Sequence, residues 1–259
     1  MLRVRLQHLP IAALRYYDVT GSTNQDALEW IEDGADEYSL VVADSQTAGR
    51  GRMGRRWETR PAAALAFSLI LKPREEEKPY LSLFSPLCAV AVAQVLINVY
   101  RLKGVQVKWP NDVLIQRRKV CGILVESAWE GDSLLGIAAG VGINVLPEAL
   151  PPDEQLLFPA TCVATQLGKS VDRFDLLAAV LSEMMAWRPH LATGQLIQAW
   201  DRLLAFKGEA VRLEHQEHVV SGKLLGVVQD GSLCIQTETE GIQTFYFGDV
   251  HLRPEPFCD

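Results

Sequence analysis

"VQVKWPNDVLIQRRKVCGILVESAWEGDSLLGIAAGVGIN", residues 105–144, is the stretch on which the fold turns. Three apolar runs, at 113–116, 120–128 and 133–141, are divided by the polar turns Arg117-Arg118-Lys119 and Glu130-Gly131-Asp132-Ser133. Short runs separated by tight turns read as strands that fold back on one another. Parallel neighbours would need a crossover of a dozen or more residues, and no such length is present. The stretch therefore predicts an antiparallel meander. A short strand at 105–107 enters it through Lys108-Trp109-Pro110-Asn111-Asp112.

Working outward, residues 22–34 read as a helix, with Ser22 or Thr23 as its cap and Gly34 at its end. Residues 38–43 and 64–71 read as strands, and 83–102 as a long helix closed by Gly104. Two amphipathic helices follow near 173–187 and 194–205. Composition shifts at Phe206-Lys207-Gly208, after which short β-rich runs and the hairpin signal Asp230-Gly231 suggest a small barrel. Strands and helices do not alternate regularly. The expected class is therefore α+β, with a mixed, mostly antiparallel sheet. The expected units are residues 1–205 and 206–259.

The chain has 259 residues, 48% of them hydrophobic, and a formal net charge of −7. That is enough apolar content for a sizeable core. The first residues hold no apolar run followed by a small-residue cleavage site, so no signal peptide is expected. The apolar stretch 81–100 carries Ser82, Ser85, Pro86, Gln94 and Asn98, and reads as a buried helix and not as a membrane span. Cys88, Cys121, Cys162, Cys234 and Cys258 are scattered, odd in number and free of any C-x-x-C. This points to a reducing compartment, the cytoplasm. His215 and His218 are the nearest approach to a metal pair and lack a third ligand nearby.

Against this acidic background, residues 47–57, TAGRGRMGRRW, concentrate Arg50, Arg52, Arg55 and Arg56 among Gly49, Gly51 and Gly54. A nucleic-acid arm normally accompanies a basic domain, which this chain lacks. A small anionic ligand fits better. Glycine lets backbone approach the ligand, and arginine recognises carboxylate or phosphate in a planar, bidentate way. The string Gly49 to Gly54 also fits G-x-G-x-x-G, but without the acidic residue that a dinucleotide site needs, and no P-loop signature occurs. Ser22-Thr23, Lys108 to Asp112 with Lys119 and Gly122, and Gly140-Val141-Gly142-Ile143-Asn144 are further candidates. Each alone is an ordinary cap, turn or strand. Together they offer cations, Asn/Asp oxygens and apolar walls suited to a nucleoside triphosphate and a second, carboxylate-bearing substrate.

In this order, Ser-Thr-Asn, Gln-x-x-Gly-Arg-Gly-Arg-x-Gly-Arg-x-Trp, Lys-Trp-Pro-Asn-Asp, Lys-x-x-Gly-Ile-Leu-x-Glu and Gly-x-Gly-Ile-Asn, the chain resembles the biotin protein ligases. The motifs run from about Tyr17 to Asn144, and the β-rich tail extends the likeness. Met53 departs from the polar or basic residue many members have, at a variable position. The resemblance implies a mixed sheet with helices on one face and a C-terminal SH3-like barrel. It implies that biotin and MgATP give biotinyl-5'-AMP, and that biotin then passes to a lysine of a biotin carboxyl carrier protein. It implies Arg52 and Lys119 as catalytic residues. Ser22, Thr23, Gln46, Gly49, Arg50, Arg52, Lys119 and Gly122 are implied for biotin. Arg52, Arg55, Trp57, Asn111, Asp112, Lys119 and Asn144 are implied for ATP or adenylate. Asp112 would meet Mg²⁺ through the phosphates. It further suggests a mobile lid at 47–57 and leaves a homodimer open. The nearest rival is a lipoyl or octanoyl ligase. A DNA-binding repressor is not expected, because about 20 residues ahead of Ser22 cannot hold a helix-turn-helix domain. A nonenzymatic binding protein would differ in consuming no ATP with biotin.

Overall fold

The computed structural model describes residues 2–152, 158–215, 218–246 and 250–254. In chain order the first sheet is made of β1 (Leu14–Thr20), β2 (Leu40–Gln46), β3 (Ala64–Leu71), β4 (Val105–Lys108), β5 (Asp112–Ile115), β6 (Arg118–Glu130) and β7 (Ser133–Asn144). These seven strands lie in the order β1-β2-β3-β7-β6-β5-β4. Residues 105–144 form the expected meander, with Gln116 and Arg117 taking positive φ at its first tight turn. Among the described strands of this sheet, only β1 and β2 pair in parallel.

The helices are α1 (Leu2–Leu6), α2 (Thr23–Glu32), α3 (Phe84–Asn98), α4 (Val163–Leu167), α5 (Arg173–Trp187) and α6 (Gln195–Leu203). Side chains alternate across a strand. Leu40 and Val42 of β2, with Leu69 of β3, therefore face a core shared with Leu87 and Val92 of α3 and Leu177 and Leu181 of α5. Val41, Ile70 and Ala138 face the other way, onto Ala27 and Ile31 of α2. The expected placement of helices on one face holds for the long α3 and α5, whereas α2 covers part of the opposite face. β3 is buried along its whole length because it lies between these two layers. By length and composition residues 75–98 could cross a membrane, yet this stretch is mostly buried here.

One local expectation needs amendment, and one strand went unread. Ser22 makes no side-chain cap to α2. Gln46 of β2 supplies the cap instead, its Oε1 accepting from the Thr23 backbone N–H at 2.8 Å. The strand β1 gave no clear periodic signal, because it is an outer strand with Tyr16 and Val19 exposed among polar neighbours.

The chain then forms β8 (Ala210–His215), β9 (His218–Val227), β10 (Leu233–Thr237), β11 (Gly241–Phe245) and β12 (Val250–Pro254). They make an antiparallel five-stranded sheet in the order β11-β10-β9-β8-β12, the small SH3-like unit expected. The His215 and His218 side chains lie outside the described set. Among the described residues no cluster of three or more His, Cys, Asp or Glu could hold a metal. Val211, Leu213, Leu224 and Leu233 join the main core beside Trp200 and Phe206. The buried indole of Trp109 donates to the Gly231 carbonyl at 3.0 Å, tying the Lys-Trp-Pro-Asn-Asp turn to the β9–β10 hairpin.

Arg188, just past α5, is a second fastener. It is 4% exposed. Its guanidinium donates to both Glu77 oxygens at 2.8 Å, to the Lys72 carbonyl at 2.9 Å, and to Glu37. Burial alone would raise the Glu77 carboxyl. The Arg188 hydrogen bonds and the Arg74 backbone N–H outweigh that and hold it below its ordinary value. The same carboxylates raise Arg188 against its own burial.

Candidate active site

The C-terminal end of β2, the start of α2, the loop 47–57 and the strands β5, β6 and β7 line one cleft. Ser22, Thr23, Gln46, Arg50, Arg52, Arg55, Trp57, Asn111, Asp112, Lys119 and Gly122 all line it. They come from sequence positions up to 100 residues apart, brought together by the pairing of β2, β3, β7 and β6.

The glycines of the floor make room. Gly122 and Gly142 face each other across β6 and β7, and the Trp57 ring rests on both. A Cβ on Gly142 would stand 2.4 Å from the indole, inside any real contact distance. Lys119 reaches over the same ring, its Nζ 5.6 Å from the ring centre and 2.7 Å from Asp112 Oδ1. The backbone of Lys119 is held by Pro159 and Thr161, so the lysine is fixed at its root and not part of a loose hairpin. The Asn111 amide donates to the Ile123 carbonyl at 2.7 Å, which leaves Oδ1 as its acceptor end. Burial pushes the neighbouring Cys121 thiol well above its usual range, although Lys119 pulls the other way. It is therefore a neutral thiol near pH 7 and no nucleophile.

Two expected residues lie elsewhere. Gly49 borders an adjoining opening that shares Arg50, Gly51, Arg52, Arg55 and Arg56 with the cleft. A side chain there would press to 2.3 Å from the Trp57 carbonyl, so glycine is what closes the loop on itself. Asn144 is buried at the end of β7 and donates to the Thr161 carbonyl at 3.2 Å.

The structure adds residues to which the sequence reading gave no role. Asn24 is buried beneath the cleft, where Gly140 leaves it space. Its amide donates to the Leu124 carbonyl at 2.9 Å and to Glu126 Oε2 at 2.8 Å, and its Oδ1 accepts from Ser68 at 2.6 Å. Ser68 lies 2.9 Å from Thr23 Oγ1. Asn24 and Glu126 stood inside the quoted motifs. Ser68, a lone hydroxyl in an apolar strand, was the one readable signal that β3 carries more than packing.

A family model described as Biotin/lipoate A/B protein ligase family matches residues 16–144, and one described as Biotin protein ligase C terminal domain matches 207–253. The bifunctional ligase/repressor BirA of Bacillus subtilis is 35% identical over 246 residues, covering 92% of this chain and 74% of the relative. This chain belongs to the biotin/lipoate A/B protein ligase family. Another member, the biotin--[acetyl-CoA-carboxylase] ligase of Paracoccus denitrificans, is 31% identical, with 84% of this chain and 91% of that one covered. Among solved structures, the biotin protein ligase of Aquifex aeolicus in complex with biotin and ATP superposes with a TM-score of 0.80 at 29% identity. That likeness covers 94% of this family member and all of the Aquifex chain.

Proposed function

We infer that the cleft holds biotin and ATP together and that its residues divide the work between them. The enzyme is a biotin protein ligase. It joins biotin to AMP and transfers biotin to a biotin carboxyl carrier protein. The observation that supports the residue roles is the convergence on one cleft of every expected residue except Gly49 and Asn144.

In the first step a biotin carboxylate oxygen attacks the α-phosphorus of ATP, and the bond to pyrophosphate breaks. Both reactants are anionic. Arg52, Arg55 and Lys119 would offset their repulsion and stabilise the charge that builds up, the kind of preorganised electrostatics that usually dominates such catalysis. Ser22, Thr23 and Gln46, with the backbone around Arg50 and Gly122, would hold the ureido ring and tail. Trp57 would border the adenylate. In the second step a carrier lysine amine attacks the acyl carbon, and the bond to AMP breaks. No enzyme-bound acyl group is needed, so positioning carries the catalysis.

Mg²⁺ accompanies the nucleotide in this reading. Such an ion takes one or two protein oxygens and relies on the phosphates for others. Asp112 and Asn111 Oδ1 provide such a donor set, and the Lys119–Asp112 pair keeps the carboxylate turned into the cleft.

The chain is proposed to act in the cytoplasm, supported by the free thiols of Cys88, Cys121, Cys162 and Cys234. No DNA partner is proposed, given the net charge of −7. Homodimerisation is proposed on the ground that β1 leaves an outer sheet edge, to be checked by sedimentation. Residues 1–205 and 206–259 are proposed as the two units. The decisive test is incubation with biotin, MgATP and a carrier domain, read by intact mass. The reading predicts one added biotinyl group and ATP consumption that depends on biotin. A carrier mass that stays unchanged would refute it.

A further inference from the structure

The Arg50 guanidinium of the 47–57 loop meets a carboxylate beside the cleft. Its NH2 lies 3.0 Å from Glu126 Oε2. The same oxygen accepts from Asn24 Nδ2 at 2.8 Å. Asn24 cannot swing away. It is 4% exposed, it also donates to Leu124, and it accepts from Ser68. The Ser68 hydroxyl donates to Asn24 Oδ1 and lies 2.9 Å from Thr23 Oγ1, whose own hydroxyl reaches Gln46 Oε1 at 3.2 Å. The Thr23 backbone N–H also serves Gln46 Oε1. Glu126 thus ends a chain of hydrogen bonds that starts at the pocket wall, and it presents its charge to the loop.

We propose that Glu126 is a positioning residue that latches the Arg/Gly loop over the cleft by pairing with the Arg50 side chain, and so couples loop closure to the polar floor beneath the substrate. This rests on the biotin–ATP reading of the cleft. In this assignment the Arg50 guanidinium serves the protein, and the backbone of residue 50 faces the ligand. The pair is partly exposed, at 37% for Arg50 and 28% for Glu126. It biases the loop without locking it, and its effect is roughly two- to fivefold in the open–closed equilibrium. Apparent affinity scales with the fraction of protein already closed. The factor is therefore shared between loop protection and the KM for biotin: a loop mostly closed without ligand shows it in protection, a loop mostly open shows it in KM. kcat should hold, because the latch is equally made in ground and transition states.

The test is a double-mutant cycle on the full chain with Glu126→Gln, Arg50→Gln and both together. Amide hydrogen exchange of residues 47–57 is read without ligand, and steady-state kinetics with biotin and MgATP. In each single variant the speeding of exchange and the rise in biotin KM should multiply to about two- to fivefold. The double variant should do no more than either single one. Arg50→Gln lies at the surface of the loop and guards against a Glu126 variant that merely unfolds. Additive effects in the double variant, or a fall in kcat at constant KM, would overturn the latch. Because the exchange is measured on free protein, it tests the latch even if the wild type showed no biotin-dependent pyrophosphate exchange, a result that would instead sink the biotin–ATP reading.

Discussion

Lys119 shows how one side chain gathers three roles from its surroundings. Its root is fixed by Pro159 and Thr161, and its ammonium both pairs with Asp112 and lies over the Trp57 ring. A charge-stabilising donor of this kind is typically worth about 10²–10³ in rate. Lys119→Ala should therefore slow adenylate formation by about that factor in single-turnover assays while circular dichroism stays native. Unchanged turnover would reduce Lys119 to a structural pair for Asp112. Arg52 should matter differently. It lies mid-loop and borders the cleft, where a guanidinium can hold two ligand oxygens at once. Arg52→Gly removes that clamp and loosens the backbone. Retention of the reactive adenylate should suffer more than its synthesis. The variant should then biotinylate an unrelated bystander protein on a blot, whereas the wild type labels only its carrier. A clean bystander in the presence of adenylate synthesis would exclude Arg52 from retention.

At the scale of elements, the loop 47–57 is the part whose behaviour depends on occupancy. It folds through Gly51 N–H to the Arg55 carbonyl and Trp57 N–H to the Gly49 carbonyl at 2.7 and 2.9 Å, and its four arginines line one cleft. An anion relieves their mutual repulsion. Exchange in this segment should slow markedly when biotinyl-adenylate binds, and equal protection with and without ligand would remove the lid from the mechanism. The meander, α5 and the β-rich tail were legible because their periodicity and turn residues act locally. Asp172 caps α5, its carboxylate accepting from the Phe174 N–H at 2.8 Å. β1 was not legible, since an outer strand with polar neighbours carries no alternation. Neither was the cap of α2, because Gln46 arrives from another strand. The motif residues of the cleft were named in advance from resemblance. The Ser68–Asn24–Glu126 chain was not, because only the third dimension brings residues 44 and 102 positions apart together.

Across the whole molecule, Arg188 ties the end of α5 to the segments before α3. Removing one partner from a buried ion pair costs about 3–5 kcal/mol, because the other charge is left stranded. Arg188→Met should lower the thermal midpoint accordingly and leave Glu77, at 7% exposed, without its cation. The pH dependence follows from the lowered Glu77 pKa. Stability from this pair is complete above the ordinary carboxylate value of 4.5 and is lost as pH falls through the lower folded value. Melting curves from pH 6 to pH 3 should thus fall more steeply for the wild type than for Arg188→Met, and parallel curves would contradict the assignment. The bond from Trp109 to Gly231 carries a different consequence. A chain divided at the 205–206 boundary would give two fragments that each lack part of one continuous core, with the indole N–H parted from the Gly231 carbonyl. Neither fragment should label a carrier by itself. Fused to two proteins that meet, they should regain ligase activity only where those proteins touch, turning the enzyme into a proximity-gated tag writer whose background is set by how poorly that indole tolerates water.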